Sequence, residues 1–377
     1  MGCALQATTT FFRKGKLADV LVIATQDRDH YGHAMRALKL GYDVLLEKPV
    51  SPNVNECIEI AKYAAENGRK VLVCHVLRYA PYYRRIKEII ESGQLGEVVE
   101  IRHSENISYW HFSHSYVRGN WRSEAETSPM LLAKCCHDMD LLFWYAGSKF
   151  QSLSSYGELK FFKEENAPAG AAKRCADCKL NKTCIYDADY QYVGRRRFLL
   201  NKRKFPWGSY AFSMSNKKAD VKRALREGEK GRLYGRCVFA SDNDVVDNQT
   251  VTMLMQNGVK CQFSVNAFNE NNHRHTEIRG TMGELYADDS GSVLKLRLFD
   301  KAMKKIRVNV ISMVKGHAGG DAGIIRAVMA MYNGETHDEQ YTWISDTVES
   351  HRIVAAAELS RHEHGRTVYT AEIPDLK

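Results

Sequence analysis

The stretch DVLVIATQDRDHYGHAMRALKLGYDVLLEKP, residues 19–49, reads as strand, helix, strand. Its first run, Asp19 to Ala24, is a continuous apolar strand of the kind buried on both faces of a parallel sheet. His30 to Leu40 then carries apolar residues at helical spacing, Gly41 stops the helix, and Val44-Leu45-Leu46 supplies a second buried strand. The pattern repeats at once. Asn53 to Asn67 reads as a helix, Gly68 as its stop, and Lys70 to Cys74 as a third strand. Strands joined by helical crossovers in this way form the later part of a doubly wound nucleotide-binding sheet.

The earlier part of such a sheet carries a glycine-rich turn that seats a pyrophosphate on a helix N-terminus. This sequence has no such turn. Gly228-Glu229-Lys230-Gly231 and Gly316-His317-Ala318-Gly319-Gly320-Asp321 have the wrong spacing and lie far downstream. A strand–helix–strand unit takes roughly 30 residues, and eighteen precede Asp19. The expectation is an incomplete sheet, the product of a shortened gene or a fragment by design, that binds a dinucleotide poorly.

At 377 residues the chain is long enough for two domains. Hydrophobic residues at 44% and charged residues at 26% are ordinary for a globular protein, and no apolar run is long enough for a membrane helix. A net charge of +9 is mildly basic and partly local, with one dense basic segment at Arg195-Arg196-Arg197 and Lys202-Arg203-Lys204. A solvated loop is the ordinary reading of such a segment; contact with an anionic substrate or cofactor phosphates is the sharper one. No motif supports nucleic-acid binding. Ten cysteines without a secretory signal imply a reducing, cytoplasmic setting.

After the third strand come Arg78 and Tyr79, in a loop at a strand C-terminal end, where ligands bind. A helix over Tyr83 to Ser92 and a strand from Glu97 to His103 follow. The loop Tyr109 to Arg122 then gathers Trp110, His114, Arg118 and Trp121. Aromatic faces among hydroxyl and guanidinium donors suit a polyol or sugar; a loop packed at a domain interface is the alternative.

Pro129 to Ala146 reads as a helix with Ser128 as N-cap and Gly147 past its end. Leu132, Cys135, Cys136, Met139, Leu142, Phe143 and Ala146 form its apolar stripe. Lys134, His137, Asp138 and Leu141 are read as a second face, with Asp140 placed to orient the His137 ring. A polar stripe on a buried helix is costly unless it meets water, a partner or a substrate. A satisfied core histidine is the plainer alternative for the pair.

Four features in this order resemble the Gfo/Idh/MocA oxidoreductases, the glucose–fructose oxidoreductase and inositol dehydrogenase superfamily. They are the unit ending in Glu47-Lys48-Pro49, the Ala24-Thr25 turn with His30, the His137-Asp138-Met139-Asp140 helix, and Gly316 to Asp321. The likeness runs from about residue 17 to about residue 370. It implies a fold in the α/β class: an incomplete Rossmann-like parallel sheet over residues 1–100, then a domain over 101–377 with a large, open, mostly antiparallel sheet. It also implies NAD or NADP as cofactor and a secondary hydroxyl of a sugar or cyclitol as substrate.

By position, the resemblance makes Lys48 a donor to the reacting oxygen and His137 the general base. Lysine suits the role because burial lowers its pKa. Thr25, Asp27, His30, Glu47 and Arg78 would line the cofactor cleft. Tyr79, Lys134, Asp138, His317 and Asp321 would join the loop residues at the substrate. Ala133 departs from the family, where an aspartate often stands four residues before the histidine. Lys134 and Asp138 are the nearby substitutes.

Cys175, Cys178 and Cys184 form C-x2-C-x5-C, and with Cys237 offer four thiolates for a structural zinc. Such a knot would pin an insertion of about 160–237; free cysteines in a mobile loop are the alternative. Downstream, Gln249 to Gln256 and Val259 to Val265 flank Asn257-Gly258, a two-residue type I′ hairpin signal. Strands at Glu277–Gly280, Ser292–Phe299 and Lys305–Ser312 and helices at Asp321–Asn333 and Ser345–Arg361 complete the reading. One sheet face would cover helices; the other would join subunits into a homo-oligomer. Two further readings stay open. One is NAD-assisted cleavage or elimination of a glycoside without net redox change, and the other a non-catalytic carbohydrate- or partner-binding descendant.

Overall fold

The computed structural model describes residues 10–194, 208–215, 217–228, 233–308, 316–335 and 341–376. The basic runs Arg195-Arg196-Arg197 and Lys202-Arg203-Lys204 lie outside the described residues, as does the end of the strand expected to reach Ser312.

Strands β1 (Val20–Ile23), β2 (Asp43–Leu46) and β3 (Val71–Val73) form a parallel sheet in that order. Helices α1 (His30–Lys39) and α2 (Val54–Glu66) make the crossovers. Asn53 caps α2 by accepting from the Asn55 amide, and Gly41 and Gly68 take the left-handed backbone that ends each helix. One expectation fails at β1. It is an edge strand, with Val22 59% exposed, so it is not buried on both faces.

The other edge is covered. Thr342 donates through Oγ1 to the Val73 carbonyl at 2.5 Å and accepts from the Val73 amide at 2.9 Å. Helix α7 (Ile344–His362) leaves from there, and its Ile344 and Val348 enter the core beneath the small sheet. The C-terminal segment is thus part of the first sheet's packing.

The second sheet holds β4 (Val98–Ser108), β5 (Phe150–Glu158), β6 (Asn248–Met255), β7 (Lys260–Asn269), β8 (His273–Gly280), β9 (Gly283–Asp288), β10 (Val293–Leu298), β11 (Lys304–Arg307) and β12 (Val368–Tyr369). Their order is β11-β10-β9-β8-β4-β7-β6-β5-β12, antiparallel except where β4 meets β7. The β6–β7 turn departs from the two-residue reading. Met255 pairs with Val259, leaving a three-residue loop in which Gly258 is left-handed and Asn257 is not.

Helices α3 (Pro81–Glu91), α4 (Met130–Ala146) and α7 share one apolar core with the inner face of this sheet. Helix α4 is buried almost all round, from Met130 to Leu142. Ser128 does not cap it; the Ser128 hydroxyl donates to Asp27 at 2.5 Å instead. Gly147, left-handed at φ 65°, ends it as expected from the sequence.

The insertion contains a short helix at Ala188–Tyr192 and α5 (Lys218–Glu227), with a small core of Cys175, Ala188, Tyr192, Val193, Val221, Leu225 and Tyr234. Helix α6 (Gly320–Tyr332) lies against the turn Val76–Tyr79 that follows β3.

Candidate active site

All three parallel strands deliver residues to one crevice at their C-terminal ends, where such sheets bind ligands. Thr25 follows β1, Glu47-Lys48-Pro49 follows β2 with a cis Lys48–Pro49 bond, and Cys74-His75 follows β3. Buried His30 ties the first two loops together, with Nδ1 2.7 Å from the Pro49 carbonyl and Nε2 3.1 Å from that of Thr25. The loop after β2 is also anchored from α7: the Val50 amide donates to His351 Nε2 at 3.0 Å. The two residues that follow Lys48 are therefore held from two sides.

Its ammonium crosses the crevice and donates to the Ala133 carbonyl of α4 at 2.9 Å. His137 stands one turn further along the same helix, 5% exposed, with Nδ1 buried and without a hydrogen-bond partner. The ring packs edge-on against His75 at 5.6 Å and faces His317 at 6.0 Å. Burial first, then the positive charge of Lys48, His75, Arg274 and His317, holds the His137 pKa well below 6.5. His75 is fully buried with neither ring nitrogen partnered, and burial lowers its pKa to about 4.

The other polar residues of α4 are spent elsewhere, which corrects the single-face reading. Asp140 does not orient His137. It takes a bidentate pair from Arg78, at 2.7 Å from Nε and 2.6 Å from Nη2. Arg78 is thereby fixed to α4, near the Phe143 and Trp144 rings. Asp138 turns toward the large sheet, accepting from Arg274 Nε at 2.7 Å with His103 Nε2 at 2.9 Å. Those partners hold its pKa well below the usual carboxylate range, against the opposing effect of full burial. Glu105 lies 2.9 Å from both Lys134 Nζ and Arg274 Nε, ion-paired without an aligned hydrogen bond to either. Asp138 is thus closed off by its network, while Lys134 keeps partial exposure.

Among the remaining expected contacts, Arg118 is the clearest correction. It is fully buried, and its guanidinium donates to the Arg236 and Tyr186 carbonyls, to Gln191 and to Cys175 Sγ. It pins the insertion, with four of its five N–H groups spent there and none of the side chain exposed to a sugar. Among the described residues, no three of the Cys175, Cys178, Cys184 and Cys237 sulfurs lie within 4.8 Å of one another. The four do not fit a tetrahedral zinc, and Arg118 with the small core supplies the anchoring assigned to it.

Tyr79 is buried, hydrogen-bonded through its hydroxyl to Thr342. His114 is buried against Tyr192, 2.7 Å from its hydroxyl. Trp121 reaches toward Asp27, itself buried, at 3.3 Å, and Trp110 donates to the Glu270 carbonyl. Thr25 remains exposed beside His33. Glu47 lies at the Lys48 amide. His317 and Asp321 are both more than half exposed, and His317 Nδ1 sits 2.6 Å from Asp321 Oδ1. His75 was not among the residues expected at the site. The signal was available: it ends β3 in the same way that Lys48 follows β2.

Fold and crevice together define a nucleotide-binding oxidoreductase in which a Rossmann-type sheet is set against a broad antiparallel one. The chain belongs to the Gfo/Idh/MocA oxidoreductase family. Residues 11–75 match its NAD-binding Rossmann fold and residues 87–369 its C-terminal alpha/beta domain. Among curated relatives, the oxidoreductase YteT of Bacillus subtilis (strain 168) is 23% identical over 80% of this chain and 70% of its own length. An inositol 2-dehydrogenase/D-chiro-inositol 3-dehydrogenase of Lactiplantibacillus plantarum is 23% identical over 40% of each chain. An oxidoreductase of Agrobacterium radiobacter, solved with NAD+, L-tartaric acid and magnesium, superposes with a TM-score of 0.63 at 14% identity, covering 97% of this chain and 83% of that one. Among the described residues, no helix is long and apolar enough to cross a membrane.

Proposed function

We propose that this protein oxidises or reduces a secondary hydroxyl of a sugar or cyclitol with NAD or NADP. The observation that carries the reading is the Lys48 ammonium held over α4 one turn before a buried imidazole whose Nδ1 has no partner. Buried unpaired nitrogens are costly, and an active site is a standard reason to keep them. The inositol dehydrogenase relative supports the substrate class.

The nicotinamide, when bound, would take or give the hydride. In the oxidation direction Lys48 donates a hydrogen bond to the carbinol oxygen and stabilises the charge that develops there. His137, neutral because its pKa is depressed, accepts the hydroxyl proton. Thr25 and Glu47, at the strand ends, border the cofactor. Lys134 faces the substrate side, and the open face of the large sheet is the surface for a second copy.

The test is reduction of NAD+ or NADP+ by a panel of cyclitols and hexoses headed by myo-inositol. Lys48→Met and His137→Asn should each remove turnover while cofactor titration by fluorescence stays close to wild type. Normal turnover in either variant would cancel that residue's role.

A further inference from the structure

A base buried as deeply as His137 must shed its proton each turnover, and water reaches little of it. The structure has an outlet within one imidazole's reach. His317 lies beside His137 with ring centroids 6.0 Å apart, so the two imidazoles are direct neighbours. It is 56% exposed, and its Nδ1 is taken by Asp321 at 2.6 Å, which leaves Nε2 for exchange. The pair repeats the geometry of a carboxylate that fixes an imidazole's tautomer and orientation.

The local backbone is shaped for this placement. His317, Ala318 and Gly319 are successively left-handed, at φ 43°, 55° and 89°, and the first two bear a Cβ. Non-glycine residues held this way cluster at functional sites. The helix that follows is pressed onto the turn after His75. A Cβ on Gly320 would lie 2.1 Å from the Val76 carbonyl oxygen, and one on Gly323 2.7 Å from Tyr79 Cβ. These two glycines let α6 approach close enough to bring His317 beside His137.

Resting on the redox reading above, we infer that His317, positioned by Asp321, is the proton relay between His137 and solvent. In oxidation the carbinol O–H proton would pass to His137, with a bound nicotinamide supplying the hydride acceptor. His137 then gives that proton to His317 Nε2, and bulk water removes it. Both electrons leave with the hydride, so the relay moves only the proton. His137 is faced by Lys48 after β2, His75 after β3, Arg274 on β8 and His317. His317 is faced by His137 and by Asp321 of α6, whose charge also reaches Cys74.

The test uses the full chain with NAD+ and the polyol panel headed by myo-inositol. His317→Ala, His317→Asn and Asp321→Asn are compared with His137→Asn over pH 5.5–9.5. The relay predicts that kcat falls at least about tenfold in both His317 variants. The polyol KM should stay within about twofold, the first-turnover burst of NADH should persist, and added imidazole should restore the rate. Asp321→Asn should shift the pH profile with an intact burst. Wild-type kcat in both His317 variants, or a loss confined to KM, overturns the relay. If His137→Asn is inactive in that case, the redox reading stands without it. No NADH from any polyol with wild type, or full activity in His137→Asn, overturns the redox reading and the relay together.

Discussion

The Lys48 side chain spans the crevice to donate a 2.9 Å hydrogen bond to the Ala133 carbonyl, one helical turn before His137. Ala133 has no side-chain acceptor to offer, and the helix backbone holds the ammonium instead. This makes the position of Lys48 depend on length as well as charge. Lys48→Arg keeps the charge but brings a planar fork that overfills the gap. Both Lys48→Arg and Lys48→Met should lower kcat/KM by about 10²–10⁴-fold, the range for a removed proton-handling or oxyanion-stabilising group. Steady-state kinetics on the polyol panel checks this.

The acid limb of the activity profile should lie below pH 6.5. A base works deprotonated, and the His137 pKa is pushed well under that value by burial and by the cations around it. Activity is therefore full at neutral pH and falls only as acid protonates the imidazole. The kcat/KM profile of the free enzyme measures it. A limb above pH 7 would assign the base to another group.

Stability should follow a matching course. His75 and His351 are buried with pKa values lowered to about 4, and His114 to about 3, each chiefly by burial. Their folded pKa lies below the unfolded value near 6.5, so the unfolded chain binds more protons in acid. The stabilisation is complete above pH 6.5 and is lost progressively as pH falls toward 3–4. Urea midpoints taken between pH 8 and pH 4 should fall monotonically below pH 6.5.

The parallel sheet was legible because apolar runs between glycine stops have few other readings, as Val44-Leu45-Leu46 before Glu47-Lys48-Pro49 illustrates. The exposure of Val22 was not, since a strand's own residues do not say whether it has a neighbour. Helix α4 was located correctly but its faces were not. Residues 137 and 138 point about 100° apart, and a helix buried all round has no solvent side to orient the pattern. Arg118 was misread for a related reason: a guanidinium in a polar loop looks exposed until its carbonyl partners, brought from Tyr186 and Arg236, are seen. Asp140 was matched to its neighbour in sequence, while its actual partner, Arg78, comes from another segment.

That Arg78–Asp140 pair should be a large contributor to fold integrity. Its side chains are only 6% and 2% exposed, and the geometry is bidentate. Asp140→Ala leaves a guanidinium buried without a counter-charge, a change that typically costs about 3–5 kcal/mol. Replacing both, as Arg78→Met with Asp140→Leu, should cost less than Asp140→Ala alone. Chemical denaturation of the single and double variants decides it.

Arg118→Met should loosen the insertion without touching the crevice. Four protein acceptors lose their donor at once, from Cys175 to Arg236. Limited proteolysis should cut faster within 160–237, while a strong zinc chelator leaves the wild-type melting temperature unchanged. A chelator-induced drop would return the four cysteines to a metal.

Gly320→Ala tests how tightly α6 must sit. The new Cβ would meet the Val76 carbonyl at 2.1 Å, and a backbone oxygen in a packed turn cannot swing aside as a side chain can. Overpacking of this kind costs about 1–3 kcal/mol and displaces the inserted element. The helix would shift away from the turn after His75, taking His317 with it. Ile325→Ala on the same helix is the control, since Ile325 is 51% exposed and its loss should stay within about 0.5 kcal/mol. Thermal melts should separate the two variants clearly. Equal melting temperatures would mean that α6 is free to move and that the close contact at Val76 has no hold on His317.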